Sequence, residues 1–328
     1  MITLFLFGII FIVARWLIVM GNTVSIIIPF YDGNKFLSRV LSSIEKVEKS
    51  ILKELNIKFE ILIMNDSPQI DVVIPKRFIN KKNIVIINNK KNQGIHQTKV
   101  NGFFQSKGAN IIFLDQDDEL LVDGFKKQLE LIKDNDIVIG NSLLEYGEEY
   151  ILSFKNACIM KSLVNKNAML NIRNFVPSLG TCLIKRSAIP QYWLENVMHN
   201  NGSDDYYLLI LLLCNNAKIA FNQGLVFIHH DTGNGNLSKN LLQMYKSNQE
   251  VLMYLINYGN ISNKECMNFE RAIGFKYYQD SKQLNLNKIF KYRLPIIKNI
   301  FYKLKLFLLY IFTFNQNVRI ATIDRGER

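Results

Sequence analysis

The octapeptide Ile111-Ile112-Phe113-Leu114-Asp115-Gln116-Asp117-Asp118 constrains this chain more than any other stretch. Four consecutive apolar residues, two of them β-branched, read as a short buried strand. The strand stops on three carboxylates within four positions. A buried strand ending in clustered acids brings negative charge to one point of a sheet edge, and open α/β sheets bind ligands at that edge. Hard oxygen ligands there suit Mg²⁺ or Mn²⁺, and a cation held by one or two carboxylates keeps positions free for substrate phosphates. The alternative is a solvated acidic loop capping a helix that starts near Asp123.

At 328 residues the chain can bury a full core as one large or two modest domains, and 48% hydrophobic with 21% charged residues excludes a disordered polymer. The net charge of +12 fits nucleic acid, an anionic membrane or a phosphorylated substrate. Its location decides among them. From Ser281 to Ile323 there is no acidic residue, while Lys282, Lys288, Lys291, Arg293, Lys298, Lys303 and Lys305 interleave with Ile, Leu, Phe and Tyr. Such basic amphipathic segments lie in the membrane interface. The aliphatic content is too high for a phosphate-tracking surface, so nucleic acid is not expected. The alternative is a helical cap on the core with solvated lysines. Leu306–Phe314 is apolar but too short to span a bilayer.

Four cysteines (Cys158, Cys182, Cys214 and Cys266) form no C-x-x-C pair and read as reduced thiols. Met1–Met20 is almost wholly apolar, with Arg15 its one charge, and is just long enough to span a membrane. It lacks the basic start and small-residue cleavage site of a secretory signal. Either it is an N-terminal anchor, or it precedes a true start at Met20.

Val24–Pro29 is a continuous apolar run, as expected of a central parallel strand. Helical spacing follows from Lys35 to about Asn56. Phe59–Met64 and Ile84–Ile87 read as strands, Gly94–Ser106 as a helix, and Ile111–Leu114 as the fourth strand. Alternating strands and helices imply a mostly parallel sheet. No G-x-G-x-x-G follows the first strand and no G-x-x-x-x-G-K-[ST] is present, so neither a dinucleotide fold nor a P-loop is supported. In the second half, Asp136–Gly140 and Val176–Lys185 read as strands and Glu145–Phe154 as a hairpin arm. Lys218–Phe221 and Leu225–His229 read as two short strands, followed by a glycine-rich loop to Ser238.

The succession VSIIIPFYDG, FEILIMNDS and NQGIHQTKVNGFFQSKGANIIFLDQDD resembles the nucleotide-sugar-binding half of family 2 glycosyltransferases. The resemblance runs from about Val24 to Asp231 and implies an α/β GT-A fold, a mixed, mostly parallel sheet flanked by helices. It divides the chain into the apolar segment 1–20, a transferase domain 21–240 and a basic helical region 241–328, with the nucleotide half at 21–123 and the acceptor half at 124–240. Carried over by position, Pro29 and Tyr31 line the nucleobase pocket and Asp66 hydrogen-bonds the base, with Asn65 departing from the common Asp-Asp pair. Gly94 lets the backbone approach the nucleotide. Lys99 faces the diphosphate, or is a solvated helix lysine. Asp117 holds Mn²⁺ or Mg²⁺, with Asp115 and Asp118 sharing the metal and the ribose. Gly180 lies near the donor sugar.

Gly202-Ser203-Asp204-Asp205-Tyr206-Tyr207 opens an apolar helix through Leu208–Cys214 and matches the family's Glu-Asp-Tyr motif. Asp205 is the expected base that deprotonates the acceptor hydroxyl, with Asp204 beside it; two acids also complement a helix dipole there. Adjacent histidines point opposite ways. His230 is expected at the diphosphate or metal, because His229 continues the strand.

The implied activity is inverting, metal-dependent transfer from a nucleotide sugar, expected to be UDP-linked, to a glycan or polyprenyl-linked acceptor. Surface polysaccharide synthesis on the cytoplasmic side of the cell membrane is the implied setting. The alternatives are a sugar nucleotidyltransferase, which would want a glycine-rich basic loop where Phe30–Asn34 stands, and a catalytically silent glycan- or lipid-binding relative.

Overall fold

The computed structural model describes residues 23–55, 57–233, 239–283 and 285–312. The apolar segment 1–20, residues 234–238 of the glycine-rich loop and the end of the 306–314 run lie outside the described residues.

Strand β1 (Thr23–Phe30) is the centre of the first half: Ile26, Ile27 and Ile28 are fully buried, because both sheet faces are covered there. It pairs in parallel with β2 (Lys58–Asn65) and β4 (Asn110–Phe113), and β2 pairs in parallel with β3 (Ile84–Asn88). The register sets Phe30, Asn65 and Asn88 side by side at the carboxyl ends. Phe113 of β4 pairs with Ile27, so Asp115, two residues on, reaches that same edge. Helices α1 (Asn34–Leu55) and α2 (Ile95–Gln105) follow β1 and β3.

Beyond β4 the sheet turns mixed, in the order β3-β2-β1-β4-β8-β6-β9-β5. Here β5 is Glu119–Leu120, β6 Ile137–Tyr146, β7 Glu149–Leu152, β8 Cys182–Lys185 and β9 Ile219–His229, with α3 (Val122–Leu131) between β5 and β6, α4 (Ala157–Leu163) and α5 (Lys166–Asn171) between β7 and β8, and α6 (Gln191–Glu195) after β8. The expected 176–185 strand begins as an extended segment and a 3-10 turn at Leu179–Thr181 before β8. The two short strands expected at 218–229 are one. Between Gly140↔Asn222 and Asn141↔Leu225 the pairing skips residues of β9, and this bulge lets the strand continue where the sequence reads as a break. The Asn222 amide fastens the bulge, donating to the Gly124 carbonyl and accepting from the Gly224 N–H.

One face of the sheet packs against α1 and α3, the other against α2 and α7 (Asp204–Cys214). Residues Leu208 to Leu212 of α7 are all at most 2% exposed, which explains why this helix is apolar on every side. Helices α8 (Leu241–Tyr258) and α9 (Asn263–Asp280) close the same core: Val251, Leu255, Phe269 and Ile273 join Trp193 and Tyr207 in one cluster. The basic region expected from 241 therefore begins with helices that are integral to the domain. After α10 (Leu286–Lys291), α11 (Arg293–Phe312) leaves Leu294, Ile297, Ile300, Phe301, Leu304, Phe307 and Leu308 exposed. Among the described residues no helix is long and apolar enough to cross a membrane.

Candidate active site

The acids after β4 are held in three different ways. Asp115 is half-buried and accepts a hydrogen bond from the Ser178 hydroxyl at 3.1 Å; desolvation pushes its carboxyl up to about 6. The Asp117 carboxylate accepts from the Thr232 hydroxyl at 3.0 Å, while Arg39 of α1 donates to its backbone carbonyl. Asp118 is fully buried and is contacted by the His229 ring at 3.1 Å and the His230 backbone N–H at 2.9 Å. It fastens the end of β9 instead of standing with Asp115 and Asp117 as a third cation ligand. Gln116, between them, reaches back to the β1 loop: its amide accepts from the Tyr31 N–H at 2.8 Å and donates to the Tyr31 carbonyl at 3.0 Å.

Among the described residues no three His, Cys, Asp or Glu side chains converge as a cation cage. The donor set would fit a cation held by one or two carboxylates and completed by substrate phosphates, for which Asp117 and Asp115 would be the protein ligands.

At the neighbouring strand ends Tyr31 is 56% exposed and Pro29 half-buried, open to a ligand laid across this edge. Asp66 is buried and accepts from the Asn89 amide, the Gln93 N–H and the Gly94 N–H at 2.8 to 2.9 Å. In this structure its carboxylate organises the turn into α2. Asn65, the departure from Asp-Asp, needs its amide: it donates to the Ile70 carbonyl and the Asn88 side chain, which a carboxylate cannot do. Gly94 sits at φ +84°, where a Cβ would lie 2.8 Å from the Asn201 side-chain oxygen. The close approach that demands glycine is therefore to Asn201. A Cβ on Gly180 would meet the Phe227 ring at 2.3 Å, so this glycine is required by packing of β9 and not by an open donor site.

Lys99 is neither solvated nor turned to the strand edge. It is 1% exposed, and its ammonium contacts Asp204 at 2.7 Å and Asp205 at 2.5 Å. Burial alone would pull Lys99 down; Asp204, Asp205 and Asp115 overcome it and hold the lysine above its ordinary range. The two acids of α7 thus turn to a buried cation, not to the helix's own N–H groups. Asp205 also accepts from the Leu179 N–H at 3.1 Å; burial raises its carboxyl, with Lys99 opposing.

The two histidines divide in the opposite sense from the sequence expectation. The His230 ring is buried between Glu145 (2.9 Å) and Glu119 (2.8 Å). His229 is the one at the acidic loop, because the alternation along β9 turns its ring to Asp118. The Asp118 hydrogen bond raises His229 to about 9. Since that value lies above the ordinary 6.5, the contact contributes stability that is present at pH 6.5, above the value of about 6 to which burial raises Asp118, and is lost as pH rises through 9. Thermal melting in EDTA is therefore expected to fall across that window, with a shallower fall in His229→Gln. An equal slope in both proteins would refute the assignment.

Arg39, Gln116, Ser178, Asn201, Thr232 and His229 were not legible as site residues. Each is a common polar residue whose position comes from distant chain segments.

Comparison with known proteins agrees with this arrangement. The family model described as glycosyl transferase family 2 matches residues 25–193, half of the chain. An uncharacterized glycosyltransferase of Rickettsia bellii is 29% identical over 119 residues, covering 36% of this chain and 16% of that protein. One of Haemophilus influenzae is 29% identical over 111 residues, covering 34% of this chain and 35% of that protein. The chain thus spans about a sixth and a third of the lengths of these relatives. Among solved structures, Staphylococcus aureus TarS 1-349 in complex with UDP-GlcNAc has a TM-score of 0.58 at 14% identity, covering 82% of this chain and 78% of that one. The mannosyltransferase PcManGT of Pyrobaculum calidifontis, in complex with GDP-Man and Mn²⁺, has a TM-score of 0.51 at 10% identity, covering 84% and 73%. At these identities the structural likeness establishes the GT-A fold.

Proposed function

The chain belongs to glycosyl transferase family 2, and from that premise we propose that it moves a sugar, with inversion and with Mn²⁺ or Mg²⁺, from a UDP-linked donor to a glycan or lipid-linked glycan. The observation that carries this reading is the carboxylate of Asp205, fixed by Lys99 and the Leu179 N–H and lining a groove beside the acidic loop.

A hydroxyl is a poor nucleophile until its proton is removed in the transition state. Asp205 accepts that proton as the acceptor oxygen bonds to the anomeric carbon. The bond from that carbon to the diphosphate breaks on the opposite side, and its electron pair leaves with the nucleoside diphosphate. Asp117 and Asp115 would hold the cation, which when bound neutralises charge on the departing diphosphate. Tyr31 and Pro29 offer the surface for the base, and Asp66 keeps the adjoining turn in shape.

Membrane attachment on the cytoplasmic side, in surface polysaccharide synthesis, is supported by α11. Its exposed apolar residues recur at helical spacing, flanked by Lys303 and Lys305. Vesicles containing phosphatidylglycerol should co-sediment the full chain, and Phe301→Ser/Phe307→Ser should weaken this roughly tenfold. Equal binding by the variant would remove α11 from the contact.

The decisive assay follows nucleoside diphosphate release from a panel of nucleotide sugars with Mn²⁺, Mg²⁺ or EDTA. Release from one donor, abolished by EDTA and restored by cation, is expected. No release together with no cation-dependent nucleotide binding would favour a silent binding protein.

A further inference from the structure

Gln116 stands between Asp115 and Asp117, yet its side chain serves another loop. The amide accepts from the Tyr31 N–H at 2.8 Å and donates to the Tyr31 carbonyl at 3.0 Å. These are the two bonds that a neighbouring antiparallel strand would exchange with that residue. Gly33 keeps the space for them: a Cβ there would lie 2.0 Å from the Gln116 side-chain oxygen, so any larger residue would push the amide aside. Asp32, between Tyr31 and Gly33, adopts φ +48°, a left-handed turn that aspartate tolerates. The amide of Asn34 ties the other side of this loop down, donating to the Asp71 carbonyl at 2.9 Å and accepting from the Val73 N–H at 2.8 Å. From the second turn of α1, Arg39 adds its bond to the Asp117 carbonyl. The loop after β1 and the acidic loop after β4 are therefore joined on both sides of Gln116.

We propose that Gln116 is a positioning residue, a strap between the two loops through which a nucleoside and a cation each raise the other's affinity. This rests on the glycosyltransferase reading above, in which the base lies on Tyr31 and the cation on Asp115 and Asp117. Both strap bonds are exposed to solvent. Exposed hydrogen bonds have a small net strength, so the strap opens at low cost. A base laid on Tyr31 favours the joined loops, and so does a cation that draws Asp115 and Asp117 together. Two ligands that favour the same state are coupled, by the same factor in each direction.

The test uses the full chain, with Mn²⁺ binding followed by the electron paramagnetic resonance of free Mn²⁺ and with uridine as the second ligand. Uridine carries a base and no phosphate to bridge to the cation. Saturating uridine is expected to tighten Mn²⁺ binding about fivefold, and saturating Mn²⁺ to tighten uridine binding equally. Gln116→Met, of similar length but without either polar group, should bring that factor to about one, while Mn²⁺ binding alone and the melting temperature hold. Gly33→Ala, which displaces the amide while leaving Gln116 and the acids in place, should lose the coupling too. Full coupling in Gln116→Met would overturn the strap, as would independent binding of uridine and Mn²⁺ by the parent protein. Either result, with UDP still binding in the presence of Mn²⁺, would leave the transferase reading standing. A parent protein that binds neither uridine nor UDP would count against both.

Discussion

Asp205→Asn is expected to lower the turnover number by roughly 10²- to 10⁴-fold, the usual contribution of a positioned general base, while nucleotide binding holds. The amide is nearly isosteric and its oxygen can keep the Lys99 contact, so the variant should fold. What it loses is the capacity to take a proton. Burial sets the Asp205 carboxyl above the ordinary 3.8, so transfer by the parent protein should decline as pH falls through that raised value, the base being silent when protonated. Initial rates with donor and acceptor, beside calorimetric titration with UDP, separate the two effects. Retention of most of the rate would assign the proton to another group.

Lys99→Met should have the largest effect on stability. The ammonium is fully buried between Asp204 and Asp205, and removing one partner of a buried ionic cluster costs about 3–5 kcal/mol because the remaining charges stay uncompensated. Lys99 is held above its ordinary 10.5, so its contribution is fully present below that pH and is lost only as pH rises through the higher folded value. The loss in Lys99→Met should thus be visible at any neutral pH by denaturant unfolding. A second signature follows from the site. Without the cation that opposes it, burial raises Asp205 further, and the acidic limb of the rate profile moves to higher pH. Lys99→Met/Asp204→Asn, with one buried charge fewer, should recover part of the stability. An unchanged unfolding free energy in Lys99→Met would show that the two acids are satisfied without it.

These outcomes turn on residues of unequal legibility. Val24–Pro29 and Ile111–Leu114 were readable as buried strands because parallel strands covered on both faces are apolar at every position, a signal that needs no partner. The Asp115–Asp118 cluster stood out because acids ending such a strand bring charge to a sheet edge, but that Asp118 serves to fasten β9 was not readable. Lys99 was not, since nothing in its local spacing distinguishes a lysine aimed at solvent from one aimed at an α7 that begins 105 positions later. Nor was the choice between His229 and His230. Alternation says that two neighbours diverge, but which one meets Asp118 depends on the pairing of β9 with β5 and on the bulge opposite Gly140.

The sequence by itself determined the strands of the nucleotide half, their parallel character, the acids that end the fourth of them and the family, because those depend on hydrophobic runs and on motifs short enough to be local. The tertiary structure decided what each acid meets: Asp115 the Ser178 hydroxyl, Asp117 the Thr232 hydroxyl, Asp118 the end of β9, and Asp204 and Asp205 a buried lysine. A carboxylate's chemistry is set by its burial and by the charge opposite it, and both come from segments far away in the chain.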